Sequence, residues 1–324
     1  RRDARTGVWA GCGVRSLPTC QHWSNRVLHI LSSVLVPSPG DSKAFAEQGN
    51  VAATNGILLE QNDTIDVLFV GDSEAYSSFS PLQIWGERGF TSYVCATSAQ
   101  ELPYSLSILR LATVAQRPKV VVIETNMLFR PTSIEYGLNQ IFQNIFPVFE
   151  FHDRWKSFFA PSSEERQSSA APNATKGFAT AAASNPADVT NYMAADDQVT
   201  KIPSRNELYL RLMIDHCRRI GATPLLVSTP STVNWNTARH NGIVLFAKEA
   251  KVDYVDLNVA PTKVAIDWTT DTHDAGDHMN LSGAKKVSAY MGAYLAKTYG
   301  LVDRRGDANY KAWNEAFARN KQAL

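Results

Sequence analysis

Two short polar stretches, far apart in the chain, hold the residue types on which covalent chemistry could run. Gly71-Asp72-Ser73 closes an apolar run, and His273-Asp274-Ala275-Gly276-Asp277-His278-Met279-Asn280 precedes the last long helical pattern. A serine hydroxyl becomes a nucleophile when a base takes its proton, and the base needs an acid to orient it. The second stretch offers both, so the pair contains what acyl transfer through a serine requires. Each stretch alone has a plainer explanation, because Asp, Ser and Asn are turn formers and helix caps. His273, Asp274, Asp277 and His278 are also four metal-ligating types within six residues. Their spacing matches no zinc motif, but a metal site remains a rival reading.

The elements that must bring these stretches together can be read from hydrophobic periodicity. Residues 65–71 form a short apolar run ending at Gly71, the pattern of a buried strand. Further strands are expected at about 91–95, 119–124, 223–228 and 252–257. Helices are expected from Ser80-Pro81, over about 103–115, from 204 to 220, over 236–250 and over 282–299. Ser204-Arg-Asn-Glu207 reads as a capping box, and Gly221 as the stop of the helix behind it. Strands apolar on both faces, alternating with helices, imply a parallel sheet covered on both sides. The expected fold is therefore α/β, a three-layer α/β/α sandwich around a central, mostly parallel five-stranded sheet. Ligands in such sheets bind at the carboxyl edge. Ser73 falls there, where its own backbone N–H and a nearby helix dipole can stabilise an oxyanion.

Composition narrows the field. The chain has 324 residues, 44% hydrophobic and 19% charged, and a net charge of +1 gives no electrostatic argument for nucleic acid. Cys12, Cys20, Cys95 and Cys217 form no Cys-x-x-Cys pair; Cys95 and Cys217 sit in apolar segments and are expected in the core. Residues 1–56 read as an irregular lead. Within them, Val27–Val36 is apolar but far short of the ~20 residues that cross a bilayer, and it lacks a signal-peptide cleavage pattern. The lead leaves open an anchor upstream of residue 1. Residues 57–324 are expected to form the catalytic domain, interrupted by an excursion at about 127–203. That excursion is aromatic first and then rich in Ala, Ser, Thr, Asn and Pro; it reads as either a surface segment or a lid or substrate wall.

The Gly71-Asp72-Ser73 block after the first strand, with Asp277-His278-Met279-Asn280-Leu281 before the last helix, resembles the SGNH/GDSL hydrolase superfamily. Within it, the chain resembles bacterial extracytoplasmic members related to lipoteichoic-acid D-alanylation proteins and polysaccharide O-acetyltransferases. Residues 66–76, Phe151-His-Asp-Arg-Trp155 and Asp303-Arg-Arg-Gly-Asp307 add to the likeness, which covers about residues 57–310. It implies a flavodoxin-like sheet, Ser73 as nucleophile and His278 as general base. The second block of the family falls on Ser98-Ala99-Gln100, where Ala99 replaces the usual Gly, and a backbone N–H there would serve the oxyanion. The third block supplies an Asn, for which Asn126 lies in the right region without the usual neighbours. The acid is Asp274 or Asp277: the commonest spacing, three before His278, is occupied by Ala275. An adjacent residue usually points its side chain elsewhere, which favours Asp274.

The resemblance implies an esterase or O-acyltransferase acting on acyl, chiefly acetyl, esters of cell-envelope or extracellular carbohydrate, with no cofactor. It also implies an extracytoplasmic or membrane-anchored setting. A non-catalytic scaffold in envelope polysaccharide assembly is the alternative that the irregular second and third blocks keep open.

Overall fold

A computed structural model describes residue 54, residues 56–131 and residues 173–321 of the chain. Most of the N-terminal lead, with Val27–Val36, Cys12 and Cys20, lies outside the described residues. So do Phe151–Trp155 and the aromatic half of the excursion.

Five strands follow one another as β1 (Val67–Gly71), β2 (Ser92–Ala96), β3 (Val120–Glu124), β4 (Thr223–Ser228) and β5 (Asp253–Asp256). They form one sheet in the order β2-β1-β3-β4-β5, and every pairing is parallel. This is the doubly wound order of flavodoxin-like sheets. Among the described residues, seven helices are interleaved: α1 (Ser73–Ser78), α2 (Pro81–Arg88), α3 (Leu102–Ala115), α4 (Ser204–Arg219), α5 (Thr237–Ala250), α6 (Leu281–Tyr299) and α7 (Lys311–Asn320).

Strand side chains alternate between two apolar layers, as the pleat requires. Leu68, Val70, Val121, Ile123 and Leu226 face a core shared with α3, α4, α5 and α7. Val67, Phe69, Val120, Val122, Leu225, Val227 and Val255 face a second core shared with α1 and α6. Both layers are buried, which explains why β1 is apolar throughout and β3 is apolar up to Glu124 rather than alternating. Cys95 and Cys217 are free thiols in the core, and burial pushes both up to about 12.

The helix ends follow local chemistry, with one correction. Ser80 caps α2, its Oγ accepting from the Gln83 N–H, and Pro81 occupies the first helical position. Asn236 and Asn280 cap α5 and α6 through their side chains. The expected capping box at Ser204 does not form: Pro203 is the N-cap residue and makes no side-chain cap bond. Proline's fixed φ sets the chain on course for the helix one residue earlier. Glu207 binds Arg211 instead, at 2.8 Å. The Asp303–Asp307 segment is a clamp. Arg304 donates from Nε and Nη2 to the two carboxylate oxygens of buried Asp66, at 2.9 and 2.8 Å, tying the chain beyond α6 to the start of β1.

Residues 173–203, the longer described part of the excursion, have no regular helix or strand. Their backbone is stitched to the loop between β5 and α6. The Asn185 N–H donates to Thr272 O (2.9 Å), Ala187 N–H to Trp268 O (2.8 Å), and Leu281 N–H to Ala181 O (3.0 Å). Among the described residues, no helix is long and apolar enough to cross a membrane.

Candidate active site

Because all five strands are parallel, the residues after Gly71, Ala96, Glu124, Ser228 and Asp256 converge on one edge. Gly71 is the tightest point of that edge. A Cβ on it would stand 2.6 Å from the Cβ of Ala75 and 2.7 Å from that of Glu124, so only glycine fits between β3 and α1. Asp72 follows as the N-cap of α1, its Oδ1 accepting from the Glu74 N–H at 3.1 Å. Ser73 is the first residue of the helix and is buried. Its backbone N–H is one of the first-turn amides that find no acceptor within a helix.

The second stretch forms a tight loop before α6. Ala275 (φ 62°) and Gly276 (φ 100°) are both left-handed, so the chain doubles back between Asp274 and His278. That reversal explains the spacing of four. Asp274 Oδ1 accepts the backbone N–H of His278 at 2.7 Å, and Oδ2 lies 2.5 Å from the ring Nδ1. A carboxylate only accepts, so Nδ1 carries the hydrogen, and in the neutral ring Nε2 holds the free lone pair. Nε2 is buried and has no hydrogen-bond partner. Burial raises the affinity of Asp274 for its proton, but the hydrogen bonds and charge of His278 outweigh it and hold the carboxyl below its ordinary range. Asp277 stands farther from the ring, 3.6 Å from Nδ1, and accepts a short bond from Asn234 Nδ2.

Asn234, in the loop after β4, joins the two stretches. The same Nδ2 that reaches Asp277 also donates to Glu74 Oε1 at 2.7 Å. The neighbour of Ser73 and the neighbour of His278 thus share one amide group.

The remaining candidates separate. Gln100 is buried and its side chain is spent within its own turn: Nε2 donates to Cys95 O and Ser105 Oγ, and Oε1 accepts from Thr97 Oγ1. Its backbone N–H reaches Thr97 O at 3.3 Å. Neither group is available to a ligand, which removes Gln100 from the candidate oxyanion donors. Ala99 and Ser98 are exposed at the tip of this turn, and Ser98 shares a hydrogen bond with Tyr76 of α1. Ala99 takes φ 51°, the conformation for which glycine is the usual choice. Asn126 is buried on the short 3-10 turn after β3. Its Oδ1 faces Arg239 at 3.4 Å, whereas its Nδ2 is a buried donor with no partner.

Glu74 and Glu124 carry no sequence signal of their own. With Asp72 they make three buried acids around the Gly71-Asp72-Ser73 turn. The Thr229 hydroxyl lies 3.0 Å from Glu74 Oε2 and 3.3 Å from Glu124 Oε1, and one O–H cannot satisfy two carboxylates. Burial, reinforced by mutual repulsion, pushes Glu124 up to about 8 and Glu74 well above its ordinary value. Burial likewise raises Asp72, with Arg130 opposing it from 3.1 Å, near enough for an ion pair though not aligned as a hydrogen bond. Arg239 closes the far side, stacked on Phe129 with its guanidinium 5.0 Å from the ring.

No protein-family model matches this chain, and no curated protein matches it. Among solved structures it is similar to a lipolytic protein of the G-D-S-L family from Desulfitobacterium hafniense, with 13% identity and a TM-score of 0.40 over 70% of this chain and 97% of that one. It is also similar to a GDSL-like lipase from Bacteroides thetaiotaomicron, with 13% identity and a TM-score of 0.39 over 78% and 98% of the two chains. A third is a variant of an acetyl-xylooligosaccharide esterase from Geobacillus, with 12% identity and a TM-score of 0.35 over 74% and 96%. At this level of likeness, chemistry has to be argued from the residues.

Proposed function

We infer that this chain is a serine ester hydrolase or O-acyltransferase of the SGNH type, working through an acyl-enzyme on Ser73. The observation that supports it best is the pairing of His278 Nδ1 with Asp274 at 2.5 Å, which leaves Nε2 buried and unpartnered. A neutral imidazole held in that tautomer is what a serine hydroxyl needs as its base.

In the proposed cycle the Ser73 hydroxyl proton moves to His278 Nε2 as Oγ bonds to the ester carbonyl carbon. The carbonyl oxygen becomes an oxyanion, faced by the Ser73 N–H, the Ala99 N–H and the unpartnered Nδ2 of Asn126. Asp274 remains ionised and stabilises the imidazolium. Collapse breaks the ester C–O bond, and Nε2 returns its proton to the departing alcohol. Water, or a sugar hydroxyl in a transferase, then repeats the sequence on the acyl-Ser73 ester. Asp274 is the proposed acid; Asp277, engaged with Asn234, is assigned to holding the loop.

The proposed substrate is an acyl, chiefly acetyl, ester of a cell-envelope or extracellular carbohydrate, and the proposed setting is extracytoplasmic, with membrane association through an anchor. Both rest on the sequence resemblance. The test is hydrolysis of small acetyl esters and acetylated xylan by the wild type, Ser73→Ala and His278→Ala. Each variant is expected to lose about a thousandfold or more in kcat/KM. Retention of wild-type rates by either variant would sink the assignment.

A further inference from the structure

His273 is a loop side chain that the proposed cycle does not use, and its surroundings are unusual for a bystander. Its ring lies against that of His278, with centroids 5.8 Å apart and planes 20° from parallel. Nδ1 is 3.3 Å from the carbonyl oxygen of Met279, which can only accept, so Nδ1 is the protonated nitrogen of the neutral ring. That leaves the Nε2 lone pair pointing at Asp274 Oδ2, 3.5 Å away. Two acceptors facing each other repel unless a positive charge lies on the ring or between them. A histidine whose other nitrogen donates to a backbone carbonyl is also the usual posture of a metal ligand.

We propose that His273, Asp274 and His278 form a zinc-binding site whose occupation switches the esterase off. One donor atom from each residue lies within 4.8 Å of the others. Two imidazoles and one carboxylate form a donor set that suits zinc, with a fourth position open to water, and not magnesium or calcium, which prefer oxygen. Ligand atoms around a tetrahedral zinc stand about 3.3 Å apart, given Zn–N and Zn–O bonds of about 2.0–2.2 Å. The distance of 3.5 Å from His273 Nε2 to Asp274 Oδ2 meets this already. His278 needs only a small swing of its ring away from Oδ2. The side chains are half-buried, with 24%, 33% and 17% of His273, Asp274 and His278 exposed, so the ion can reach them from solvent. Asp277, 3.6 Å from His278 Nδ1, adds negative charge on the same side.

The switch rests on the reading of His278 as base. If zinc takes Nδ1, the proton of that nitrogen shifts to Nε2, and Nε2 can no longer accept one from Ser73. If zinc takes Nε2, the lone pair itself is used. Either way Asp274 is drawn from the imidazole to the ion, and no net oxidation or reduction is involved.

The test uses the whole chain, with and without added zinc chloride, each protein compared with its own metal-free rate. Zinc should inhibit acetyl-ester hydrolysis by the wild type reversibly, EDTA should restore it, and zinc should slow fluorophosphonate labelling of Ser73. In His273→Gln the midpoint of inhibition should rise at least tenfold, and zinc affinity, read by competition with a chromophoric chelator, should fall in parallel. Equal zinc sensitivity in the two proteins, no zinc binding by the wild type, or zinc that raises hydrolysis would each overturn the proposal. Binding is read without turnover, so the two readings fail separately. A wild type that binds zinc through His273 but neither hydrolyses esters nor reacts with the probe would refute the serine assignment and the switch, and leave the metal site standing.

Discussion

At the scale of single residues, the acid is the sharpest question. The sequence offers Asp274 and Asp277, and only the backbone reversal at Ala275 and Gly276 separates them, since it turns a spacing of four into a two-point contact. Such a reversal is hard to foresee because Ala275 adopts a left-handed conformation that alanine seldom visits. The two carboxylates should respond differently to loss of charge. Asp274→Asn removes the acceptor that fixes the His278 tautomer, and kcat is expected to fall by about a hundredfold or more with KM little changed. Asp277→Asn, whose amide can still meet Asn234, is expected to cost less than about tenfold. Steady-state kinetics on one acetyl ester checks this, and a larger loss in Asp277→Asn would reverse the assignment.

Among the elements, strands and long helices were legible from periodicity because burial on both faces leaves an unbroken apolar run. Ser80-Pro81 and Asn236 announced their helices by capping chemistry. The capping box at Ser204 misled because Pro203 starts the helix without a side-chain cap. Helix α1 escaped notice because its six residues are too few to show a period. The acids at the strand ends were illegible for another reason: Glu74 and Glu124 look like surface carboxylates until β1, β3 and β4 are placed side by side. Their burial has a measurable consequence. Glu124 is raised from 4.5 to about 8 by burial and by Asp72. Between those values the folded state holds a proton that the unfolded chain releases. The corresponding stability is fully present below about pH 4.5 and is lost as pH rises through about 8, at up to about 1.4 kcal/mol per pH unit for this proton. Thermal unfolding from pH 5 to 9 should show a smaller decline in Glu124→Gln than in the wild type; identical slopes would mean that Glu124 is ionised throughout.

On the scale of the whole molecule, an all-parallel sheet collects residues spread over more than two hundred positions at one edge. Gly71-Asp72-Ser73 leaves it at β1, second from one side of the sheet, and the His278 loop enters α6 after β5. The stretch at 173–203 borders that loop through backbone hydrogen bonds. Asn234 supplies the joint between the two stretches, a role no local pattern could announce. The proposed reaction requires a Ser73 hydroxyl activated by His278, and the most direct measurement of that is labelling by a fluorophosphonate probe followed by peptide mass spectrometry. The prediction is stoichiometric modification of Ser73 with parallel loss of ester hydrolysis, and none in His278→Ala. Modification of another residue, or activity lost while Ser73 stays unmodified, would contradict it.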